Sequence, residues 1–177
     1  SANRGILINT ICKIEIVGVA ISNCFTNNGG SSLFYEDSNL DSTGVENISI
    51  IDLIIDNCES SLTDNGRAIH FIFKSQNIYF YNLTIQHIKR SGGYIVTFAQ
   101  RDKTPQYLIC LDKCHFIDCR TNISNGDGGG LGFKCSYFSE IEFLDCSFSQ
   151  LYSSTKGGCI SFQESEKEKL TSLIFSS

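Results

Sequence analysis

The chain has 177 residues, a formal net charge of −5 and a pI near 5.1. This acidic balance argues against a nucleic-acid partner, because there is no basic surplus to offset the repulsion from phosphate groups. No apolar run approaches the length of a membrane-spanning helix.

Two kinds of short segment alternate along the chain. The first has apolar side chains at positions three and five and Cys, Ile or Leu at position eight, and it occurs at 17–24, 51–58, 81–88, 112–119 and 144–151. Alternation with polar neighbours predicts a strand with one buried face. The fifth positions are predicted to form an interior column: Ile21, Ile55, Ile85, Phe116 and Phe148. The polar residue at position seven predicts a bend that turns the chain inward again.

The second kind of segment is a glycine turn that runs into a short apolar strand with Phe at the sixth place. It occurs at 29–34, 66–71, 93–98, 128–133 and 157–162. A second interior column is therefore predicted: Phe34, Phe71, Phe98, Phe133 and Phe162. After the last of these segments, a charged stretch at 164–169 leads into a further predicted strand at 170–175.

The two segments together recur about every thirty residues, which indicates a repeat protein. Ile, Val, Phe, Tyr and Gly carry the repeats without a 3.6-residue period, so helical repeats are excluded. A leucine-rich repeat needs a recurrent Leu scaffold, and a propeller blade needs four strands. We therefore predict an all-β fold, a right-handed parallel β-helix of about five to six coils that forms a single domain over 1–177.

The residues also resemble a known family. Segments such as Gly157-Gly158-Cys159-Ile160 and Gly129-Gly130-Leu131, alternating with the Cys-x-Phe-x-x-Cys pattern at 114–119, are similar to the polymorphic outer-membrane-protein repeats of chlamydiae and of protist surface proteins. The broader pectate-lyase-like superfamily shares such patterns. The resemblance implies a surface-displayed passenger or adhesin.

The chain contains no Met, and we expect it to be a piece of a longer protein that continues beyond it. Three sequons begin at Asn47, Asn82 and Asn122, which are candidate glycosylation sites if the protein is secreted. Asn122, in a predicted loop, is the acceptor expected to be most accessible.

Nine cysteines are present, and several fall in the predicted interior columns. Cys24 and Cys58 share one column in adjacent coils, and Cys114 and Cys146 share another. Both buried free thiols and at least one disulfide bridge remain open as interpretations. A zinc site is not predicted, because strand alternation points His115 away from the neighbouring cysteines.

No catalytic, cofactor or metal site is predicted. The outward column with the most polar residues is Gly18, Asp52, Asn82, Lys113 and Asp145, in which we expect Lys113 to pair with Asp145. Asp52 and Asp145 are three coils apart, about 14 Å, which is too far for paired carboxylates. The adjacent column ends at His115 and Ser147 and is expected to offer no base for a nucleophile. His70 and His87 are expected at the surface or at bends.

The predicted function is non-enzymatic, either adhesion and ligand binding or a rigid spacer, in an extracellular or cell-surface protein. The partner would be a host or neighbouring-cell surface glycan or protein, and oligomers through the coil ends are possible. Two variable loops are candidate contacts, with residues Glu36, Asp37, Asp41, Arg101 and Lys103. The alternative is a carbohydrate-active enzyme, either a polysaccharide lyase or a glycoside hydrolase, of pectate-lyase-like fold.

Overall fold

The computed structural model describes residues 6–8, 13–26, 32–36, 47–60, 68–73, 77–88, 94–100, 107–121, 130–135, 139–153, 158–164 and 172–177. All elements in these ranges are β-strands. Among the same residues, no helix has the length and apolar character needed to cross a membrane.

The first sheet, sheet 1, has six parallel strands. Each is the short apolar stretch after a predicted glycine turn, or its equivalent near the N-terminus. In spatial order they are β1 (Ile6–Ile8), β4 (Leu33–Glu36), β7 (Ile69–Phe73), β10 (Val96–Gln100), β14 (Leu131–Cys135) and β18 (Ile160–Glu164).

The second sheet, sheet 2, has nine strands and is also parallel. It begins with two long strands, β2 (Ile14–Ser22) and β5 (Asn47–Asp56). Beyond β5 it divides into two branches. One branch contains β8 (Asn77–Tyr81), β11 (Tyr107–Asp112), β15 (Ser139–Leu144) and β19 (Ser172–Ser176), and the other contains β9 (Thr84–Gln86), β12 (His115–Ile117) and β16 (Ser147–Ser149).

Two small parallel sheets complete the structure. One pairs β3 (Phe25–Thr26) with β6 (Glu59–Ser60), and the other pairs β13 (Arg120–Thr121) with β17 (Tyr152–Ser153). The strands fall into six repeats: β1–β3, β4–β6, β7–β9, β10–β13, β14–β17 and β18–β19. Every strand pairs in parallel with its equivalent in a neighbouring repeat, so the predicted all-β architecture with parallel sheets is confirmed.

The core lies between sheets 1 and 2 and consists of columns of like side chains. The column Ile21, Ile55, Ile85, Phe116 and Phe148 is confirmed by the strand register. Rings stack along the Phe column, with centroids 5.9 Å apart between Phe71 and Phe98 and 5.0 Å between Phe98 and Phe133. Phe80 of sheet 2 meets the Phe71 and Phe98 rings edge-on, which joins the two sheets.

The prediction for Phe34 was wrong by one residue. Tyr35, not Phe34, pairs with Phe71 and occupies the interior column. Because successive strand residues point to opposite faces, this shift puts Phe34 on the other face of sheet 1. There it stacks on His70 with ring centroids 5.3 Å apart. His70 is 3% exposed, so the expectation of a surface or bend position was also wrong for His70.

That other face of sheet 1 is covered by Tyr94, which is itself buried. A Cβ atom added at Gly132 would lie 2.2 Å from the Tyr94 ring. The Tyr94 hydroxyl lies 3.4 Å from Ser161 Oγ, which is two repeats further along the chain. Gly132 therefore allows an aromatic ring to lie flat against the sheet.

Candidate functional site

Sheet 2 is bent along two lines, and each line is a column of residues with positive φ. The first column contains Gly18, Asp52, Asn82, Lys113 and Asp145, with φ between 50° and 65°. The second contains Asn23, Asn57, His87, Asp118 and Gln150, with φ between 45° and 56°. The second column is the bend predicted at position seven, which is therefore confirmed, and it includes His87 as expected.

The bend residues are held by backbone hydrogen bonds between repeats. The Asn82 amide donates to the Asp112 carbonyl at 2.9 Å, and the Lys113 amide donates to the Leu144 carbonyl at 2.8 Å. Asn and Asp tolerate the left-handed conformation better than most residues, because their short side chains hydrogen-bond locally. The positive φ of the backbone therefore explains why Asp52 and Asp145 occupy the first column, without any catalytic role.

The first bend column presents a polar ladder to solvent. Asn82 Nδ2 donates to Asp52 Oδ1 at 2.7 Å. Asn82 and Lys113 lie between Asp52 and Asp145, so these two carboxylates are three strand spacings apart, about 14 Å. Glycosidases place their carboxyl pairs closer together, about 5 to 9.5 Å apart. The ladder therefore does not supply an opposed acid and base.

Lys113 does not form the ion pair with Asp145 that we expected. Its Nζ donates instead to the Tyr81 hydroxyl at 3.0 Å and lies 5.0 Å from the centre of the Tyr81 ring. The hydrogen bond to Tyr81 raises the pKa of Lys113 above its ordinary value. The side chain reaches back toward the preceding repeat, where an aromatic ring offers both an acceptor and a π face.

The adjacent column contains a serine–histidine pair, contrary to our expectation that no base would face a nucleophile there. His115 Nδ1 lies 2.7 Å from Ser147 Oγ, because β12 and β16 align these residues directly. Ser147 is exposed and His115 is half-buried. Nucleophilic catalysis also needs a group that orients the histidine. The described contacts provide His115 with no carboxylate partner.

Sequence reasoning missed an apolar cluster on the outer face of sheet 2, which we call the outer patch: Val17, Ile51, Ile54 and Tyr81. Val17, Ile51 and Tyr81 are in register across three repeats. Exposed fractions are 54% for Val17, 47% for Ile54 and 40% for Tyr81. Alternation with positions three and five would place position one of the eight-residue segment inward, and only the bend at position two turns it outward. The sequence pattern alone therefore gave no signal for the position-one residues of the outer patch.

The seven cysteines whose side chains are described are free thiols. Burial raises the pKa of Cys119 to about 11, and burial together with Glu142 raises the pKa of Cys110 to about 11. Cys114 and Cys119 point into the core, whereas His115 lies on the outer face. In the part of the chain that the structure describes, no cluster of three or more His, Cys, Asp or Glu residues could hold a metal ion.

The other predicted site residues are placed as follows. Asn47 is exposed at the start of β5 and its Oδ1 accepts a bond from Asn77 Nδ2 at 3.4 Å. Asn82 is exposed in the bend column, with its Nδ2 engaged by Asp52. Glu36 is half-buried at the end of β4. Four predicted loop contacts and one sequon lie outside the described residues: Asp37, Asp41, Arg101, Lys103 and Asn122.

Comparison with known proteins found no matching family model, no matching curated protein and no matching solved structure. The class of this protein is therefore defined by its own architecture. It is an all-β protein of parallel sheets in which one strand pattern repeats along the chain.

Proposed function

We propose that the sheets are faces of a right-handed parallel β-helix that forms a single domain over 1–177. The support is that equivalent strands pair from repeat to repeat, while aromatic side chains from sheets 1 and 2 meet in one core. Right-handed crossovers are the rule for parallel strands of one sheet, which favours this hand. The six repeats correspond to about six turns of the helix.

On this framework we infer a non-enzymatic protein that binds a partner through its outer surface. The observation that carries the inference is the outer patch, which lies beside the polar ladder of the first bend column. Parallel sheets are usually covered on both faces, so exposed Val17, Ile54 and Tyr81 are notable. A flat surface with an aromatic ring next to amide, carboxylate and ammonium groups suits the face of a sugar ring or a protein surface.

The proposed partner is a glycan or protein on the surface of a host or neighbouring cell. The resemblance to polymorphic outer-membrane-protein repeats supports this, as do the sequons at exposed Asn47 and Asn82. The protein would then be secreted or displayed at a cell surface. Antibody staining of intact, non-permeabilised cells tests this location, and staining only after permeabilisation would contradict it.

A carbohydrate-active enzyme is the alternative, and the described residues favour it less. The polar ladder separates its two aspartates by Asn82 and Lys113, and His115 and Ser147 have no orienting carboxylate. Incubation with anionic and neutral polysaccharides, followed by a reducing-end assay, distinguishes the alternatives. Release of new reducing ends would favour the enzyme.

The binding proposal is tested with three variants of the purified chain. Tyr81→Ala removes the ring from the outer patch, and Tyr81→Phe keeps the ring but loses the hydrogen bond to Lys113. Tyr152→Ala removes a more accessible ring that lies outside the patch, since Tyr152 in β17 is 54% exposed and Tyr81 is 40% exposed. Binding to cells and to a glycan array is measured together with the thermal midpoint.

We expect Tyr81→Ala to weaken binding about tenfold or more, equivalent to about 1.4 kcal/mol, without changing the thermal midpoint. Tyr152→Ala should bind like the unmodified chain. If both tyrosine-to-alanine variants bind equally well, the outer patch is not the contact surface. If the unmodified chain binds neither cells nor glycans, a spacer role replaces adhesion.

A further inference from the structure

Two pairs of cysteines lie directly over one another in neighbouring repeats. The Cys24 amide donates to Cys58 Sγ at 3.4 Å, which places the first pair side by side. The Ser147 amide donates to the Cys114 carbonyl at 2.9 Å, and Ser147 is in register with His115. Cys146 therefore lies over Cys114. Neighbouring strands are about 4.8 Å apart, within the Cα separation of about 4.4 to 6.8 Å that a disulfide requires.

Cys119 and Cys110 have no cysteine beside them at the equivalent position of a neighbouring repeat. Cys119 lies between Ile88 and Leu151 in its column, as the amides of Arg120 and Tyr152 show by donating to the Ile88 and Cys119 carbonyls. Cys110 lies between Tyr79 and Glu142. Stacking of like residues thus creates two thiol pairs and leaves Cys119 as an internal control.

Each pair combines one accessible thiol with one shielded thiol. Cys146 is half-buried and lines an open pocket of about 320 Å³ together with Phe148 and Phe175. Cys114 lies behind it and is fully buried. In the other pair, Cys24 lines a smaller pocket of about 210 Å³, and Cys58 is buried behind it.

In the Cys114–Cys146 pair, the accessible thiol, Cys146, has the lower pKa and is therefore the more reactive of the two. The neighbouring Cys114 side chain lowers the pKa of Cys146 despite the partial burial of Cys146. The Cys146 side chain and burial together raise the pKa of Cys114, whose Sγ donates to the Asp112 carbonyl at 3.5 Å. The thiolate is the nucleophile in thiol–disulfide exchange, so Cys146 is the group that reacts first. Burial raises the pKa of Cys24, so the Cys24–Cys58 pair should react more slowly.

We propose that Cys114 and Cys146, and likewise Cys24 and Cys58, form disulfides that join neighbouring repeats when a small disulfide oxidant such as oxidised glutathione is present. The Cys146 thiolate attacks one glutathione sulfur and expels glutathione thiolate. Cys114 then attacks the Cys146 sulfur of the mixed disulfide, and its proton passes to the second departing glutathione. Two protein thiols are oxidised, and one glutathione disulfide is reduced to two thiols.

The bridges stabilise the stack by restricting the unfolded chain. Each would close a loop of a little over thirty residues, because its cysteines lie one repeat apart. Native bridges over loops of this size raise the thermal midpoint by about 10 °C in a chain of this length. The effect does not depend on the identity of the surface ligand.

The experiment equilibrates the purified, reduced chain in buffers of increasing oxidised-to-reduced glutathione ratio. Remaining thiols are blocked with N-ethylmaleimide under denaturing conditions, and the non-reduced peptides are mapped by mass spectrometry. We expect peptides linked through Cys114–Cys146 first and through Cys24–Cys58 at longer times. Cys119 should carry the maleimide throughout.

Variants add a second readout. Cys146→Ser should remove the Cys114–Cys146 link and most of the rise in thermal midpoint on oxidation, whereas Cys119→Ser should keep both. Peptide mapping of the unmodified chain keeps the test decisive if a variant folds poorly. A stable glutathione adduct on Cys146 without a link to Cys114, links between other cysteines, or unlinked thiols in the most oxidising buffer would each overturn the proposal.

Discussion

At the scale of single residues, the bends of sheet 2 determine side-chain identity through the backbone. The second bend column contains Asn, Asn, His, Asp and Gln in successive repeats, all with positive φ. A left-handed residue other than Gly costs roughly 1 to 2 kcal/mol, less for Asn and Asp. Asn57 recovers part of this through the bond from its Nδ2 to Asn23 Oδ1 at 2.7 Å. His87 recovers part through Asp56, whose Oδ1 lies 2.8 Å from His87 Nδ1.

In that column, the cost of positive φ is offset least at Gln150. It is exposed, has a φ of 54°, and has no side-chain hydrogen bond among the described contacts. We predict that Gln150→Gly stabilises the protein by about 0.5 kcal/mol, because relief of the left-handed strain exceeds the added entropy of the unfolded chain. Gln150→Val should destabilise it by about 1 to 2 kcal/mol, because a β-branched residue tolerates positive φ poorly.

Urea denaturation of both variants measures the two free-energy changes. Ser149→Val is a matched control, because Ser149 is the exposed neighbour of Gln150 and lies in the strand β16. A β-branched residue suits that conformation. Equal effects of Val at 149 and 150 would show that the bend does not select its residue.

At the scale of strands, the sequence predicted which strand positions face the interior, but it misplaced the register of one strand by a residue. The interior column through Ile55 and Phe116 followed from alternation alone, because every segment has the same length up to its bend. Phe34 was misplaced because the interior aromatic residue of the first segment is Tyr35, the seventh residue counted from Gly29, whereas the interior Phe of the other four segments is the sixth. Either Phe34 or Tyr35 satisfies an apolar pattern, and only pairing with Phe71 decides between them.

The candidate site was predicted less completely than the fold. The polar column through Asp52 was identified from the sequence, but its bent backbone was not, since Gly18 is the only glycine in it. The sequence placed His115 beside Ser147, but the hydrogen bond between them was missed, because it depends on how the two side chains turn toward each other. Whether the Lys113 ammonium contacts Tyr81 or Asp145 depends on the rotamer of Lys113, which the sequence does not reveal.

The packing of Tyr94 against β14 gives a prediction for one strand. Gly132→Ala would place a Cβ 2.2 Å from the Tyr94 ring, so either the ring or the strand must move. We expect a loss of about 1 to 3 kcal/mol in unfolding free energy, typical of overpacking. Gly158→Ala is the matched control, because a Cβ there meets no atom within 4 Å.

Urea denaturation of the two alanine variants measures this difference. Pairing Gly132→Ala with Tyr94→Ala tests the mechanism, because the clash disappears when the ring is absent. The two substitutions together should then cost less than the sum of their separate effects. Strict additivity would show that Gly132 is needed for another reason.

At the scale of the whole molecule, the described strands of each repeat pair only with strands of neighbouring repeats, so stability is approximately a sum of local and interface contributions. Phe98 illustrates an inner position: it is fully buried and stacks on Phe71 and Phe133. Phe175 illustrates an outer one: it stacks on Phe143 at 4.8 Å but remains 58% exposed. A Phe side chain on an inward-facing position is therefore fully buried at Phe98 and largely exposed to water at Phe175.

We predict that Phe98→Ala destabilises the protein by about 3 to 5 kcal/mol, because it opens a cavity between two stacked rings. Phe175→Ala should cost about 1 kcal/mol or less in global unfolding, since much of its ring is already in water. Amide hydrogen exchange separates the two cases. Phe98→Ala should accelerate exchange in β10 and in its neighbours β7 and β14, whereas Phe175→Ala should accelerate it in β19 and β15 alone. Uniform acceleration in both variants would mean that the repeats unfold as a single unit, and the nearest-neighbour description would then fail.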